Sequence, residues 1–346
     1  MTCVGKNQAE LRQLLSSWPI APQVISSYKD VYKVQAVEGL YCLKEIDKKP
    51  RRALALEGVL EHLLEKGFAK TAMPIRDRAG RILCQTPSGR NYVLTDWLVG
   101  RQPAFRNSEG DIAGAATTLA LFHQASAGFT PPPGGKLRNR LNRWPSRFTS
   151  RLREVVQLRE GLNHKPFLDN FDRAFIEYYP WILDRAQEGW CILATSQYER
   201  LVEDARKSHT FCHGDVAQRN FVVTTTGEYC IIDLDLARRD IRVADLYKFF
   251  RDVMKKRRWD FRVAQVILAA YSQVSPLESE EIAVLYALTC YPHKIIHLLM
   301  RYYIKREGKS YSWSTRKFIE KLHELGQQRI MIDGFLEDFR NEYNIK

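Results

Sequence analysis

Two carboxylates and an amide stand at fixed spacing in the stretch FCHGDVAQRNFVVTTTGEYCIIDLD, residues 211–235. Asp215 follows a His-Gly pair, Asn220 comes five residues later, and Asp233 ends the short apolar run IID. Transfer of a phosphoryl group needs a carboxylate that orients the attacking hydroxyl and accepts its proton. It also needs oxygen ligands for a metal ion that bridges the donor phosphates. The residue types and their order therefore fit phosphoryl transfer.

Each of these side chains has a predicted role. We expect Asp215 on a loop before the strand FVV, where its carboxylate can accept the proton of a substrate hydroxyl. Asn220, at the other end of that loop, can offer its amide oxygen to Mg²⁺, and Asp233 supplies the hard carboxylate oxygen that Mg²⁺ prefers. We predict Asp215 as the catalytic residue and Asn220 and Asp233 as metal ligands.

A lysine on a strand supplies the cation that donor phosphates require. Lys44 lies in the middle of the apolar run LYCLKEI, where a charge is costly to bury without a partner. Glu57 and Glu61 stand one turn apart on the helix predicted from ALALEGVLEHLLEKG, and either carboxylate could meet Lys44. We predict that Lys44 binds the donor phosphates and that Glu57 pairs with it.

The elements that position these residues fall into two regions. Strands are predicted at 24–25, 30–36, 40–46, 81–85 and 92–98, and helices at 7–18 and from about residue 52 to Gly67. The segment VGRQP at 99–103 then interrupts the pattern and predicts a hinge. This divides the chain into a β-rich nucleotide-binding lobe, 1–98, and a helical lobe, 99–346, which holds the catalytic loop and the substrate region. Asp96, Trp97 and Leu98, next to the hinge, are predicted to offer backbone groups to an adenine ring.

Helices dominate the second region. One is predicted from Asp111, with Ser108 or Asp111 as its N-cap, two within 167–207, and a run of aromatic-rich helices within 244–346, including YPHKIIHLLMRYYIKR at 291–306. The sequence thus predicts a small antiparallel sheet followed by a mostly helical remainder.

The motif HGDxxxxN followed by IDLD resembles the aminoglycoside phosphotransferase and choline kinase superfamily. The resemblance extends through LKEI, ALALEGVLEHLLEKG, YVLTDWLVGR, the TLALFHQ helix and ADLYKF, and so covers most of the chain. Within that superfamily, DVMKKRRWDF, AAYSQVSPLESEEI and YPHKIIHLLMRYYIKR resemble the CotS-type spore coat proteins of endospore-forming bacteria. The resemblance implies an α+β, bilobal protein kinase-like fold, and ATP or another nucleoside triphosphate with Mg²⁺ as cofactors.

The resemblance also implies a role for individual residues. By this resemblance Lys44 is the donor-phosphate lysine, Glu57 its ion-pair partner, Asp215 the catalytic acid-base, and Asn220 and Asp233 the metal ligands. His213 would brace the catalytic loop, and Asp245 would be a structural acid.

Two positions depart from the pattern of the family. The segment ISSYKDVYK, where the phosphate-covering loop is expected, has no glycine, which hinders close approach of backbone to phosphates. Ser26 and Ser27 are the hydroxyl donors that could replace it. Arg219 stands just before Asn220, and its guanidinium either reaches the transferring phosphate or an anionic substrate, or pairs with Asp240 or another surface acid.

The formal net charge of +13 favours an anionic partner, although a basic solubilising surface explains it equally well. The basic run at 136–159 raises nucleic-acid binding as a further hypothesis. Its arginines are interleaved with few aromatics, and no RNA- or DNA-binding module accompanies them, so that hypothesis is not favoured. Asp235 could hold a second metal ion or cap a turn. His293 and His297 lie four residues apart without a third ligand nearby, so no metal other than Mg²⁺ is predicted.

The seven cysteines form an odd set without a CxxC pair, which indicates a reducing compartment rather than a disulfide framework or a zinc site. The N-terminus lacks an apolar signal-peptide core, and the apolar run at 282–291 is too short to span a bilayer. We therefore expect synthesis in the cytoplasm. The resemblance to CotS-type proteins implies that this is the cytoplasm of the mother cell and that the protein is located in the spore coat. The alternative to a phosphotransferase acting on a hydroxyl of a small molecule or glycan is a kinase-like scaffold for other coat proteins.

Overall fold

The computed structural model describes residues 8–46, 49–86, 88–303 and 313–345. Some predicted features lie outside them: Cys3, the first residue of the 7–18 helix, Pro87 in the turn before the fifth strand, and residues 304–306. The helices are α1 (Gln8–Leu15), α2 (Pro50–Glu65), α3 (Glu109–Ala125), α4 (Trp144–Leu162), α5 (Asn170–Thr195), α6 (Tyr198–Lys207), α7 (Arg242–Lys256), α8 (Phe261–Ser272), α9 (Ser279–Cys290), α10 (His293–Tyr303), α11 (Thr315–Gly326) and α12 (Arg329–Tyr343). The strands are β1 (Pro22–Tyr28), β2 (Val31–Ala36), β3 (Leu40–Glu45), β4 (Leu83–Gln85), β5 (Asn91–Asp96), β6 (Gly100–Arg101), β7 (Arg138–Asn139), β8 (Phe221–Thr224), β9 (Tyr229–Ile231) and β10 (Arg238–Arg239).

The chain divides into two compact units. The first comprises Met1–Arg140, Ala205–Val253 and Val266–Pro276, and the second comprises Leu141–Asp204, Met254–Gln265 and Leu277–Lys346. All the predicted site residues fall in the first unit. The predicted lobe boundary between residues 98 and 99 stays a prediction.

A five-stranded antiparallel sheet with the order β1-β2-β3-β5-β4 opens the first unit. Successive side chains of a strand point to opposite faces, and one face buries Val34, Leu43 and Leu94 in a cluster with Leu15 of α1 and Trp18. The other face carries Lys33, Cys42, Lys44 and Thr95, because Lys33 pairs with Cys42 and Cys42 with Thr95. We call it the Lys44 face.

The rest of the first unit holds the catalytic motif. Its start is fixed by two reciprocal backbone hydrogen bonds between Cys212 and Arg238. The motif then leads through a short 3-10 helix, Gln218–Asn220, into the hairpin β8–β9, and Asp233 follows β9. Helix α3 packs beside β9, and its N-cap is Ser108, whose hydroxyl accepts the Asp111 amide at 3.0 Å. Of the two predicted caps, the structure uses Ser108.

The second unit is built from helices whose aromatic faces stack. Phe148 of α4 stacks on Tyr291 with ring centroids 3.8 Å apart, and Phe171 of α5 stacks on Tyr302 of α10 at the same distance. Helices α5 and α9 approach closely at Gly189, where a Cβ would lie 2.9 Å from the Ala287 carbonyl oxygen. The predicted run of aromatic-rich helices is therefore present.

One stretch, Ser279–Tyr303, is long and apolar enough to cross a membrane by length and composition alone. It comprises α9 and α10, and 78% of its most apolar window is buried within the structure. A core helix passes the same test, so this stretch is weak evidence for a membrane span.

Candidate active site

The loop that carries Asp215 is held from behind by a buried carboxylate. Asp245 of α7, which is fully buried, accepts the backbone amides of His213 at 2.5 Å and Gly214 at 3.0 Å. Burial alone would raise the pKa of Asp245, but the hydrogen bond from His123 and the charge of Arg238 outweigh it and hold the pKa well below its ordinary value. Asp245 therefore anchors the loop as a carboxylate.

His213 connects the two halves of the motif. The Asp215 amide donates to His213 Nδ1 at 3.2 Å, so Nδ1 is the unprotonated nitrogen, and Nε2 must carry the hydrogen that the Ile232 carbonyl accepts at 2.9 Å. Burial lowers the pKa of this imidazole, although nearby carboxylates, Asp245 first, oppose the shift. His213 is thus a neutral brace between the loop of Asp215 and the residue before Asp233.

Gly214 is required by the backbone at this point. Its φ is +87°, and a Cβ there would lie 2.0 Å from the carbonyl oxygen of Leu236. Both the left-handed conformation and the close approach exclude larger residues. The HGD motif therefore has a steric basis in addition to its chemistry.

The Asp215 carboxylate is fixed through one of its two oxygens. Arg219 Nη2 donates to Oδ2 at 2.5 Å, and Asn220 Nδ2 donates to the same oxygen at 3.2 Å and to the Asp215 carbonyl at 2.7 Å. Among the described residues, no hydrogen bond reaches Oδ1. Asp215 therefore presents one unshared oxygen, the atom that a general base needs for an incoming hydroxyl.

Of the predicted partners of Arg219, Asp240 pairs with Arg238 instead, and the contact with a phosphate or an anionic substrate stays a prediction. The acid that Arg219 pairs with is Asp215 itself, four residues earlier, and the guanidinium side chain is 61% exposed while that of Asp215 is 28% exposed. The exposed position leaves Arg219 accessible to an anion.

Lys44 meets two aspartates at once. Its Nζ lies 2.5 Å from Asp233 Oδ1 and 2.8 Å from Asp235 Oδ2. Burial lowers the pKa of Lys44, but the Asp235 and Asp233 carboxylates raise it further, so the net shift is upward. Burial raises the pKa of Asp233, but the charge of Lys44 and its hydrogen bond outweigh burial, so the net pKa shift of Asp233 is downward.

The predicted ion pair between Lys44 and Glu57 is not formed. The Glu57 carboxylate accepts the Leu83 amide at 3.3 Å, and Glu61 pairs with Arg76 at 3.2 Å. Both glutamates of α2 thus have partners other than Lys44, whose ammonium pairs with two aspartates. Asp235, for which a metal or a turn cap was predicted, is a partner of Lys44.

The donor set around Lys44 fits a hard divalent cation. Two carboxylate oxygens already converge on one positive charge, and Asp233 has the left-handed backbone φ of 72° that turns the chain at this point. Asn220 uses its amide nitrogen on Asp215, so its amide oxygen is the ligand atom it can offer. Asp233 and Asp235 therefore bring two carboxylate oxygens together at Lys44, and Asn220 has an amide oxygen to offer; both are ligand types that Mg²⁺ prefers.

The hinge residues offer few free amides. The Asp96 amide donates to the Met73 carbonyl at 2.9 Å and the Trp97 amide to the Leu40 carbonyl at 3.0 Å, whereas no hydrogen bond among the described residues uses the Leu98 amide. Of the three hinge amides, only that of Leu98 can therefore bind an adenine nitrogen without breaking a bond.

The predicted phosphate-covering loop is a tight hairpin. Strands β1 and β2 stay paired up to Tyr28 and Val31, and only Lys29 and Asp30 form the turn, with Lys29 at φ 54°. Because Ser26 pairs with Lys33 and Ser27 with Tyr32, the two serines lie on opposite faces of the sheet. Only Ser26 is on the Lys44 face, and the role of the two serines as hydroxyl donors stays a prediction.

Sequence reasoning missed the cations behind the loop. Lys248 Nζ and Arg238 Nη1 both donate to the Gly214 carbonyl, and Arg238 also pairs with Asp240 at 3.1 Å. Lys248 lies one turn after Asp245 in the quoted ADLYKF motif, and this spacing was the available signal.

A buried cluster of His123, Cys212 and Asp245 has ligand atoms within 4.8 Å of one another. Hydrogen bonds account for it: His123 Nδ1 contacts the Tyr271 hydroxyl at 2.6 Å, and the Cys212 thiol donates to the Ile241 carbonyl at 3.3 Å. Burial, followed by the charge of Asp245, raises the pKa of Cys212 well above its ordinary value. These hydrogen bonds, with those that Asp245 accepts from the loop amides, make the cluster a brace for the loop that carries Asp215.

Parts of the basic run at 136–159 are engaged locally. Within α4, Arg151 pairs with Glu154, and the Arg147 guanidinium lies 5.3 Å from the centroid of the Trp144 ring. In the first unit, Arg138 belongs to the short parallel pair β7–β10. These contacts give several arginines a structural role.

Comparison with known proteins places the chain in a well-defined group. The family model described as "Spore coat putative kinase YutH" matches residues 11–339. Spore coat protein S of Bacillus subtilis (strain 168) is 26% identical over 337 residues, which cover 96% of this chain and 94% of that protein.

Two solved structures share the fold. An aminoglycoside phosphotransferase from Alicyclobacillus acidocaldarius subsp. acidocaldarius DSM 446 superposes with a TM-score of 0.84 at 21% identity, over 99% of this chain and 98% of that one. The amicoumacin kinase hAmiN, in complex with AMP-PNP, Ca²⁺ and Ami, gives a TM-score of 0.61 at 13% identity, over 95% and 94% of the two chains. The predicted kinase-like α+β fold class and the predicted relation to spore coat proteins are confirmed.

Proposed function

The chain belongs to the YutH family of spore coat kinase-like proteins, and from that membership and the geometry around Asp215 we propose that it is an ATP- and Mg²⁺-dependent phosphotransferase. Its acceptor is a hydroxyl group of a small molecule or a glycan. The related Spore coat protein S supports a location in the spore coat, where other coat proteins are candidate partners.

One observation carries the proposal. Lys44 and Asp233, 189 residues apart in sequence, meet at 2.5 Å in the first unit, and His213 joins the carbonyl of Ile232, the residue before Asp233, to the amide of Asp215. A cation for phosphates, carboxylates for a metal and a base with one open oxygen thus form a connected set. A scaffold has no physical need for such convergence.

The residues divide the reaction between them. Lys44 would bind the oxygens of the donor phosphates, and Asp233, Asp235 and Asn220 would hold Mg²⁺, which supplies charge neutralisation between those phosphates. Asp215 Oδ1 would accept the proton of the acceptor hydroxyl while Arg219 and Asn220 hold Oδ2 in place. Arg219, exposed beside the base, would bind the transferred phosphate or an anionic acceptor.

The structure limits the roles that Glu57, the hinge residues and Ser26 can take in this proposal. Glu57 would pair with Lys44 only after a shift of α2 from the contact with Leu83. Leu98 would donate its amide to the adenine ring, with the carbonyl groups of Asp96 and Trp97 as acceptors. Ser26 is the hydroxyl donor on the Lys44 face.

A binding test and a turnover test together examine the proposal. Mg-ATP should stabilise the wild type thermally, and Asp233→Ala should abolish that stabilisation. Asp215→Asn should bind Mg-ATP like the wild type but lose release of phosphate from ATP to water, the acceptor used as the probe. Equal phosphate release by Asp215→Asn and the wild type would exclude Asp215 as the base.

A kinase-like scaffold for coat assembly is the second candidate function. The glycine-free tight hairpin between β1 and β2 favours it. For a scaffold, Mg-ATP should give no thermal stabilisation of the wild type, and binding of coat proteins should be unchanged in Asp215→Asn.

A further inference from the structure

Two aromatic side chains meet over the Lys44 face. Tyr28 ends β1, Trp97 follows β5, and their ring centroids are 5.3 Å apart with an interplanar angle of 84°. Lys33 Nζ lies 5.1 Å from the centroid of the Trp97 ring. The three side chains form a continuous cover, which we call the aromatic cover.

The strand register shows where this cover lies. Tyr28 is level with Val31, which is level with Lys44, whereas the Trp97 amide bonds to Leu40 at the other end of β3. Their backbone positions are therefore separated along the strand direction by four residues of β3, or about 13 Å at a rise of about 3.3 Å per residue. Their rings can touch only by extending over the middle of the face, above Lys33 and Cys42.

The middle of this face is also the position of a nucleotide base in the proposed function. The base must lie between the Leu98 amide, at the hinge end, and Lys44, where the phosphates bind. With the rings in contact at nearly right angles, no flat space remains between them for a base. A base can enter only if Tyr28 and Trp97 separate.

We propose that Lys33 and Trp97 line the base subsite and that the contact between Tyr28 and Trp97 closes it until a nucleotide separates the two rings. The inference rests on the proposed function, because it concerns the same nucleotide. Tyr28 is 49% exposed and belongs to the edge strand, so its ring can swing towards solvent. Trp97 would then offer a ring on which a purine stacks, with the charge of Lys33 beside it.

Substitution of Tyr28 tests the closure. Tyr28→Ala removes the ring contact without creating a cavity, and we expect it to tighten the Kd for Mg-ATP by about twofold to tenfold, the range that an aromatic pair accounts for. Tyr28→Phe keeps the ring and should bind like the wild type. The affinity for inorganic tripolyphosphate, which has no base, should be the same in all three proteins.

The outcomes separate the inference from the proposed function. Unchanged or weaker Mg-ATP binding by Tyr28→Ala, with a wild type that binds Mg-ATP, overturns the closure alone. Equal tightening of ATP and tripolyphosphate also overturns it, because the effect would then not concern the base. Absence of Mg-ATP binding in both the wild type and Tyr28→Ala overturns the proposed function and the inference with it.

Discussion

The imidazole of His213 joins the backbone amide of Asp215 to the carbonyl of Ile232, the residue before Asp233. One neutral ring therefore holds the backbone next to both the proposed base, Asp215, and the proposed metal ligand, Asp233. A change in the protonation of that ring would disturb both positions together.

Stability should depend on the protonation of His213. Its pKa is lowered in the folded protein by burial, so the folded state binds the proton less readily than the unfolded state. The stabilising contribution is then complete above the ordinary histidine value of about 6.5 and is lost as the pH falls below it towards the lowered pKa. Denaturant unfolding between pH 7.5 and 5 should show the wild type losing more stability than His213→Gln. Parallel curves for the two proteins would contradict this.

Asp245→Asn should destabilise the protein strongly. The substitution removes the charge that Arg238 faces and weakens the acceptor of two loop amides, and loss of one partner of a buried pair costs about 3 kcal/mol or more. Asp204→Asn, on the exposed pair with Arg200, is the control and should change the free energy of unfolding by less than about 1 kcal/mol. Similar effects of the two substitutions in urea denaturation would refute the anchoring role of Asp245.

Gly214→Ala and Gly227→Ala separate backbone strain from steric overlap. Both glycines have φ near +86°, being +87° and +85°, but a Cβ at Gly227 meets nothing within 4 Å, whereas one at Gly214 meets Leu236. We expect a cost of about 1–2 kcal/mol for Gly227→Ala and a larger one for Gly214→Ala. Thermal unfolding measures both, and equal shifts in Tm would show that the overlap relaxes without cost.

Lys44→Met should expose a cation site. In the wild type the ammonium competes for the carboxylate oxygens of Asp233 and Asp235, so Mg²⁺ without nucleotide should stabilise the protein little. Without the ammonium the two carboxylates repel each other, and added Mg²⁺ should raise the Tm of Lys44→Met more than that of the wild type. The double variant Lys44→Met/Asp233→Asn should lose this gain. An equal response of all three proteins to Mg²⁺ would argue against a metal site here.

The local backbone features of the motif and of α3 can be predicted from the sequence because each has a signal in neighbouring residues. The HGD triplet requires Gly214 at positive φ, IID delivers Asp233 after an apolar strand, and Ser108 caps α3. These features depend on neighbours within a few residues. They do not depend on how elements pack.

The partners of charged side chains were harder to predict. Lys44 faces acids on two elements, α2 and the turn after β9, and only the packing of those elements decides that Asp233 and Asp235 are nearer than Glu57. The face of Ser27 was missed because the predicted strand ended at residue 25, whereas β1 continues to Tyr28 and its alternation sorts the two serines. The contact between Tyr28 and Trp97 depends on the same register.

The first unit is assembled from three separate segments of the chain, and this has a consequence for biosynthesis. The sheet that carries Lys44 leaves the ribosome long before Asp233 and Asp235, and the second of these segments is separated from the first by Leu141–Asp204. A nascent chain can therefore bury the core under α1 early, but the Lys44 ammonium must wait for its aspartates until the middle segment is made. Formation of the proposed active site is thus a late step of synthesis, because it depends on long-range contacts.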